Sequence, residues 1–311
     1  MLNSITTFFS MYRKDFLKLM AIAPITLNAM NLKEFESLTT ALPTQGKKMP
    51  VLFTSHGSPM DIPVSREKRP FWNALYLLGK ELRQMHEVRA ALVVSAHWCT
   101  KGTFVNVSTE QKQIYDYYGF PDEYYKVHYN AKGAPDIAKE VTALVKQAEA
   151  TTDWGLDHGA WPMLMHLFPE GDVPVFQMSI DYFAKPEYHY QLGQQLKALR
   201  SKGVLIIGSG SLIHNLQLAG QKMMKGDMTP YGWEMEYDAW IKKQIDVRAI
   251  DNLIHYETSH KLGKLAAPTP DHYVPVLYSL GLMDRDDHID YFYEGNPNIP
   301  AFSERSFIIR S

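Results

Sequence analysis

Short β-branched apolar runs alternate with stretches of helical spacing along most of this chain. Pro50–Ser55, with Val51, Leu52 and Phe53, is too short for a helix and reads as a buried strand that exits into His56-Gly57-Ser58-Pro59. Phe71, Leu75, Leu78 and Leu82 recur at helical spacing between Pro70 and Met85, which predicts an amphipathic crossover helix. The run Ala90–Ser95 follows as a second buried strand. It is expected to stop at Ser95-Ala96 and to carry His97 and Trp98 just beyond its carboxyl end. If the two strands are parallel, a right-handed crossover brings His56 and His97 to one edge of the sheet.

The pattern continues with strands expected at Thr103–Val107, Val173–Ile180 and Val204–Ile207. Helices are expected at Pro135–Ala148, Pro186–Arg200 and Tyr231–Ile245, with another opened by Pro268–Tyr273 and ending near Gly281. Tyr115–Tyr129 has no clean period and reads as a long loop. Asp157 is placed to cap a short helix containing Met163, Leu164 and Leu167. Ile289–Tyr293 and Phe307–Ile309 supply one or two closing strands. The expected fold is α/β, a three-layer α/β/α arrangement around a central mostly parallel or mixed sheet, with the site at the strand C-terminal edge.

Composition narrows the chemistry. A length of 311 residues and 45% hydrophobic content allow a sizeable core in one large domain or two small ones. A net charge of −2 gives no reason to expect nucleic acid or an acidic membrane as partner. The single cysteine, Cys99, excludes an internal disulfide framework and a Cys-rich zinc site, so any metal must be held by histidine and carboxylate. Near the start, Tyr12-Arg13-Lys14-Asp15-Phe16-Leu17-Lys18 precedes a moderately apolar run from Leu19 to Met30 that is too short to span a bilayer. It reads either as a helix and linker of a cytoplasmic protein or as a degenerate twin-arginine-like export signal. Residues 1–48 are therefore assigned to an N-terminal extension and 49–311 to the catalytic domain.

Three histidines, His56, His97 and His214, follow buried strands, and His272 stands in the first turn of an expected helix. Neutral imidazole is the commonest side-chain ligand for Zn and Fe(II). Each alone also has a bland reading, as a loop or core imidazole with a satisfied hydrogen bond. Rival chemistries are thinly supported. Gly208-Ser209-Gly210 lacks the third glycine and the lysine of phosphate-binding loops and fits a tight strand exit. Gly208-Ser209-Gly210-Ser211 does not supply the Gly-x-Ser-x-Gly of a serine hydrolase. Cys99 has no nucleophile signature around it.

Five motifs in order, Ser55-His56-Gly57-Ser58-Pro59, Ser95-Ala96-His97-Trp98, Asp157-His158-Gly159-Ala160-Trp161, Ile213-His214-Asn215-Leu216 and Pro268-Thr269-Pro270-Asp271-His272-Tyr273, resemble the 4,5-DOPA extradiol dioxygenase family. That family is related to the β subunit of protocatechuate 4,5-dioxygenase, within the class III extradiol ring-cleavage enzymes. The resemblance runs from about Met49 to the end of the chain.

The resemblance implies one divalent metal per chain, held by His56, His97, His214 and His272, with iron as Fe(II) for turnover or zinc as Zn(II) as bound. The histidine of protocatechuate relatives that matches His214 is the proposed acid/base, so His214 carries two assignments, ligand and base. His158 matches a residue beside substrate and dioxygen. Trp98 and Tyr273 are expected to contact substrate. The implied reaction opens a DOPA-like catechol with O2 to a muconic semialdehyde-type product, since an open-sided metal lets a catechol chelate beside dioxygen. A non-catalytic Memo-type binding protein and a zinc-dependent hydrolase are the alternatives. The expected partners are a small catechol and O2, with no nucleic acid, no stable membrane association, and self-association left open.

Overall fold

Strict alternation of apolar side chains puts both faces of the central strands under cover. The computed structural model describes residues 48–295 and 299–311, so the expected extension over 1–48 lies, Lys48 apart, outside the described residues. The strands are β1 (Val51–Thr54), β2 (Ala90–Thr100), β3 (Thr103–Asn106), β4 (Ala148–Thr151), β5 (Val175–Asp181), β6 (Val204–Ser209), β7 (His288–Tyr293) and β8 (Ser306–Arg310). They form one sheet in the order β4-β3-β5-β2-β6-β1-β8-β7. β6 lies between β1 and β2 and is parallel to both, and β5 runs parallel to β2 on its other side. β8 joins β1 antiparallel, and β3 meets β5 antiparallel, so the sheet is mixed around a parallel centre.

The helices are α1 (Pro70–Met85), α2 (Pro135–Leu144), α3 (Trp161–Leu167), α4 (Pro186–Gln195), α5 (Leu216–Met223), α6 (Gly232–Asp246), α7 (Ile250–Ile254), α8 (Tyr256–Ser259), α9 (Gly263–Ala266) and α10 (Val274–Gly281). Leu52, Val93 and Ile207 face a core shared with α1 and α3. Their neighbours Phe53, Leu92, Val94 and Ile206 face a second core shared with α2, α4, α6 and α10. Period-two alternation thus divides the apolar side chains between two helical layers, the α/β/α sandwich expected from the pattern. No helix among the described residues is long and apolar enough to cross a membrane.

Several boundaries move. β2 does not stop at Ser95. It runs on to Thr100, because Cys99 and Thr100 pair again with Ile180 and Asp181 of β5 after a register shift. His97 therefore sits within an irregular stretch of strand. The helix expected over Pro135–Ala148 ends at Leu144, where Val145 turns extended, and Ala148 opens β4. Pro186–Arg200 is α-helical only to Gln195 and then tightens into a 3-10 turn closed by Gly203 at φ +79°. Asp157 does not cap α3 through its side chain. Its carbonyl oxygen accepts the N–H groups of Ala160 and Trp161.

Candidate active site

Parallel β1, β2 and β6 end on one edge of the sheet, and a cavity of about 390 Å³ opens there. It is lined by His56, His97, His158, His214 and His272.

His56 reaches it because the chain turns sharply after β1. Gly57 takes φ +73°, and a Cβ there would lie 2.8 Å from the Trp72 ring, so only glycine fits the turn. His56 Nδ1 lies 3.0 Å from Ser209 Oγ at the end of β6. The Ser209 hydroxyl donates its one proton to the Gly159 carbonyl, so toward His56 it accepts. That fixes the proton on Nδ1 and leaves Nε2 as a lone pair.

His97 is oriented by a carboxylate. Its Nδ1 is 3.2 Å from Asp116 Oδ2. The other oxygen, Asp116 Oδ1, accepts the His158 backbone N–H at 2.8 Å and lies 2.9 Å from His158 Nδ1. One carboxylate thus stands against two imidazoles whose ring centres are 3.8 Å apart, and holds the second residue through its backbone N–H. The loop bearing His158 can lie this close to β2 because its next residue is glycine. A Cβ on Gly159 would come within 2.3 Å of Ser95 Oγ and 2.8 Å of the His97 ring. Fully buried Asp157 pins the loop from below, accepting from Ser95 Oγ (2.6 Å), Gln177 Nε2 (2.8 Å), Trp154 Nε1 and the Gly159 N–H (both 3.0 Å).

His272 and His214 form the other half. His272 Nδ1 is paired with the carboxylate of Asp271, leaving Nε2 for a ligand. The His214 ring stacks on His272 at 3.4 Å between centres and 4° between planes, with Phe302 edge-on at 4.6 Å. The His214 backbone N–H is anchored on the Ala266 carbonyl at 2.7 Å.

The donor set fits a metal. His56 Nε2 and His97 Nε2 lie 3.1 Å apart. In the tautomer with both protons on Nδ1, toward Ser209 and Asp116, no hydrogen stands between them and two lone pairs face each other. Ligand nitrogens about 2.0–2.1 Å from a common cation are separated by roughly 3–3.4 Å. Donor atoms of His56, His97 and His158 fall within 4.8 Å of one another, as do those of His214, Asp271 and His272.

Electrostatics favour the same state. Burial, then the neighbouring imidazoles, push the pKa values of His56 and His214 well below the ordinary histidine value. Burial lowers His272 to about 4 against the pull of Asp271. Burial alone would raise Asp116, but His158 and His97 outweigh it and hold the carboxylate well below its usual range. His56, His214 and His272 therefore stand neutral in a cavity flanked by the ionised carboxylates of Asp116 and Asp271, as a divalent metal requires.

The five histidines expected at the site converge. Trp98 and Tyr273 do not line the cavity. Successive side chains alternate across a strand, so His97 faces the cavity while Trp98 turns away, buried, and stacks on Trp154 at 5.8 Å and 4°. Tyr273 is fully buried in the core, stacked on Tyr256 at 3.8 Å, with its hydroxyl donating to the Leu253 carbonyl. The sequence reading missed Asp116, Ser209 and the wall supplied by α5. A lone acid inside an aromatic run, Tyr115-Asp116-Tyr117-Tyr118, was the available signal for Asp116.

Residues 50–302 match the family described as the catalytic LigB subunit of aromatic ring-opening dioxygenase. The chain is 35% identical to 4,5-DOPA dioxygenase extradiol of Escherichia coli K12, over 80% of this chain and 90% of that protein. It is 36% identical to the protein of the same name from Beta vulgaris, over 74% of this chain and 85% of the relative. The crystal structure of an uncharacterized protein from E. coli K12 is similar at a TM-score of 0.70 and 31% identity, covering 84% of this chain and 99% of that one. With a histidine cluster suited to a divalent metal at the sheet edge, the chain belongs to the 4,5-DOPA extradiol dioxygenase family of LigB-type, metal-dependent, ring-opening dioxygenases.

Proposed function

We propose that the protein opens the ring of a catechol bearing a side chain, DOPA-like in its ring, to a muconic semialdehyde-type product. The reaction breaks the carbon–carbon bond next to the diol and leaves both atoms of O2 in the product, so no external reductant is required. The observation that carries the reading is the close approach of His56 Nε2 and His97 Nε2, 3.1 Å apart, in a cavity shared with three further imidazoles.

In this reading His56, His97 and His272 hold the metal, Fe(II) for turnover or Zn(II) as bound. The metal, when bound, supplies a charge that gathers the two catechol oxygens and O2 at adjacent positions. His214, which lines the cavity beside His272, takes a proton from the entering catechol. His158, its backbone N–H held by Asp116 beside His97, carries its proton on Nε2 in this reading and donates it to the developing anionic oxygen. Apolar walls, Phe302 among them, keep water from the reacting carbons. The hydrolase alternative needs a free carboxylate base. Among the described residues, Asp116 and Asp271 are both engaged by imidazoles instead.

The test is anaerobic reconstitution with Fe(II), then admission of O2 to a catechol panel that includes DOPA. Coloured ring-opened product is expected for at least one catechol; none from fully loaded protein leaves the Memo-type binding reading. His214→Ala is expected to abolish turnover while keeping most Fe(II) affinity. If metal is lost as completely as in His97→Ala, His214 is a ligand and the base must be sought elsewhere.

A further inference from the structure

Away from the histidines the cavity wall is apolar and offers no free charge. Leu216, Ala219, Gly220 and Met223 recur at helical spacing on α5, and all four line the cavity. This stripe has not been used to build the core: only Ala219 of α5 is buried, and Leu216 is 65% exposed. Met60, Phe120, Ile299 and Phe302 line the same space. A helix that keeps its apolar face on an open cavity leaves that face to be covered by whatever enters.

The nearby cations are already engaged. Lys222, the one ionisable side chain of α5, donates to the Thr229 carbonyl (2.6 Å) and hydroxyl (2.8 Å) and pairs with Asp227 at 3.1 Å. Arg69 is buried between Asp61 and Glu304. Among the described lining residues there is no lysine or arginine, and the one carboxylate, Asp116, serves His97 and His158.

We propose that the substrate is a catechol whose side chain is uncharged and apolar, a short alkyl or aryl group lying along the α5 stripe, rather than a DOPA-type amino acid tail. The proposal rests on the ring-opening reading and narrows it. A carboxylate or ammonium laid on this wall leaves water for a surface without a counter-charge, which is costly. Each methylene laid there removes apolar surface from water on both sides.

Turnover by the Fe(II)-loaded full-length protein is compared for 4-methyl-, 4-ethyl- and 4-propylcatechol, dopamine, 3,4-dihydroxyphenylacetate and DOPA. kcat/KM is expected to rise about threefold per methylene and to favour 4-propylcatechol over every charged catechol by about tenfold or more. Calorimetry on the Zn(II)-loaded protein without O2 is expected to give a Kd for 4-propylcatechol about tenfold below that for DOPA. Met223→Arg adds a cation to the stripe and is expected to shift the selectivity about tenfold toward 3,4-dihydroxyphenylacetate. A flat alkyl series, or a charged catechol that matches 4-propylcatechol in turnover and binding, overturns the proposal. If no catechol is opened at all, the ring-opening reading fails instead. The calorimetric ranking then decides alone: 4-propylcatechol ahead supports the apolar wall, and DOPA level or ahead overturns it.

Discussion

His97 and His272 both carry Nδ1 against a carboxylate, yet the two carboxylates are built differently. Asp271 is the sequence neighbour of His272 and, of the imidazoles, pairs with that ring. Asp116 comes from a loop outside the sheet and serves His97 and His158 together, taking the His158 backbone N–H as well. The first arrangement orients one ring. The second ties the orientation of one imidazole to the placement of another, so a disturbance at Asp116 reaches two groups with different tasks. Groups that touch one shared partner do not act additively.

The largest effect expected from this contrast is at Asp116. Asp116→Ala should cost about 100-fold in kcat/KM, near the upper end for lost partners of metal-bound histidine, and should lower Fe(II) affinity as well. Asp271→Ala, releasing one ring, should cost about tenfold, and the same two measurements rank the pair. Equal losses would show that sharing has no consequence. A double variant of Asp116→Ala with His158→Ala should lose less than the product of the two single losses, because part of each loss is the contact the two residues share. Ser209→Ala, which takes a neutral acceptor from His56, should cost only a few-fold in metal affinity, since neutral hydrogen bonds are weaker than charge-assisted ones.

A pH titration separates the site from the rest of the fold. Outside it, burial lowers His166, stacked on Trp72 at 4.5 Å, and His189, bonded to Tyr278 at 3.0 Å, each to about 4. A base whose folded pKa is depressed stays neutral when folded, while the unfolded chain takes up protons. Its contribution is complete above about pH 6.5 and is lost as pH falls toward 4, on the order of 3 kcal/mol per histidine at most. His56, His214 and His272 shift in the same direction. Tm followed from pH 7 to 4.5 is expected to fall both with and without Zn(II). The stabilisation given by zinc should itself shrink as the ligands protonate.

Much of the fold was legible because it rests on local pattern. β1, α1 and β6 lie where Pro50–Ser55, Pro70–Met85 and Val204–Ile207 predicted them. The five histidines were readable through their flanking motifs. What escaped depends on three-dimensional contact. Nothing near Ser95 announces that β2 resumes pairing with β5 at Cys99. Asp116 lies in a loop of aperiodic aromatic sequence where the lone acid is a faint cue, and its role exists only because that loop folds back over His97. Trp98 and Tyr273 were misplaced for a related reason. Proximity to a site residue along the chain does not fix which side of a strand or helix a ring takes.

Ser209 closes a contact between chain segments 153 positions apart when it meets His56, and Arg69 reaches 235 positions to Glu304 beside the same loop. Contacts of such high sequence separation form late, after long loops have closed. No pair of site histidines stands a helical turn apart, so the unfolded chain has no local chelate with which to seize a passing ion. Metal choice therefore falls to the finished protein, and the ion it carries records the metal supply at the end of folding rather than during synthesis.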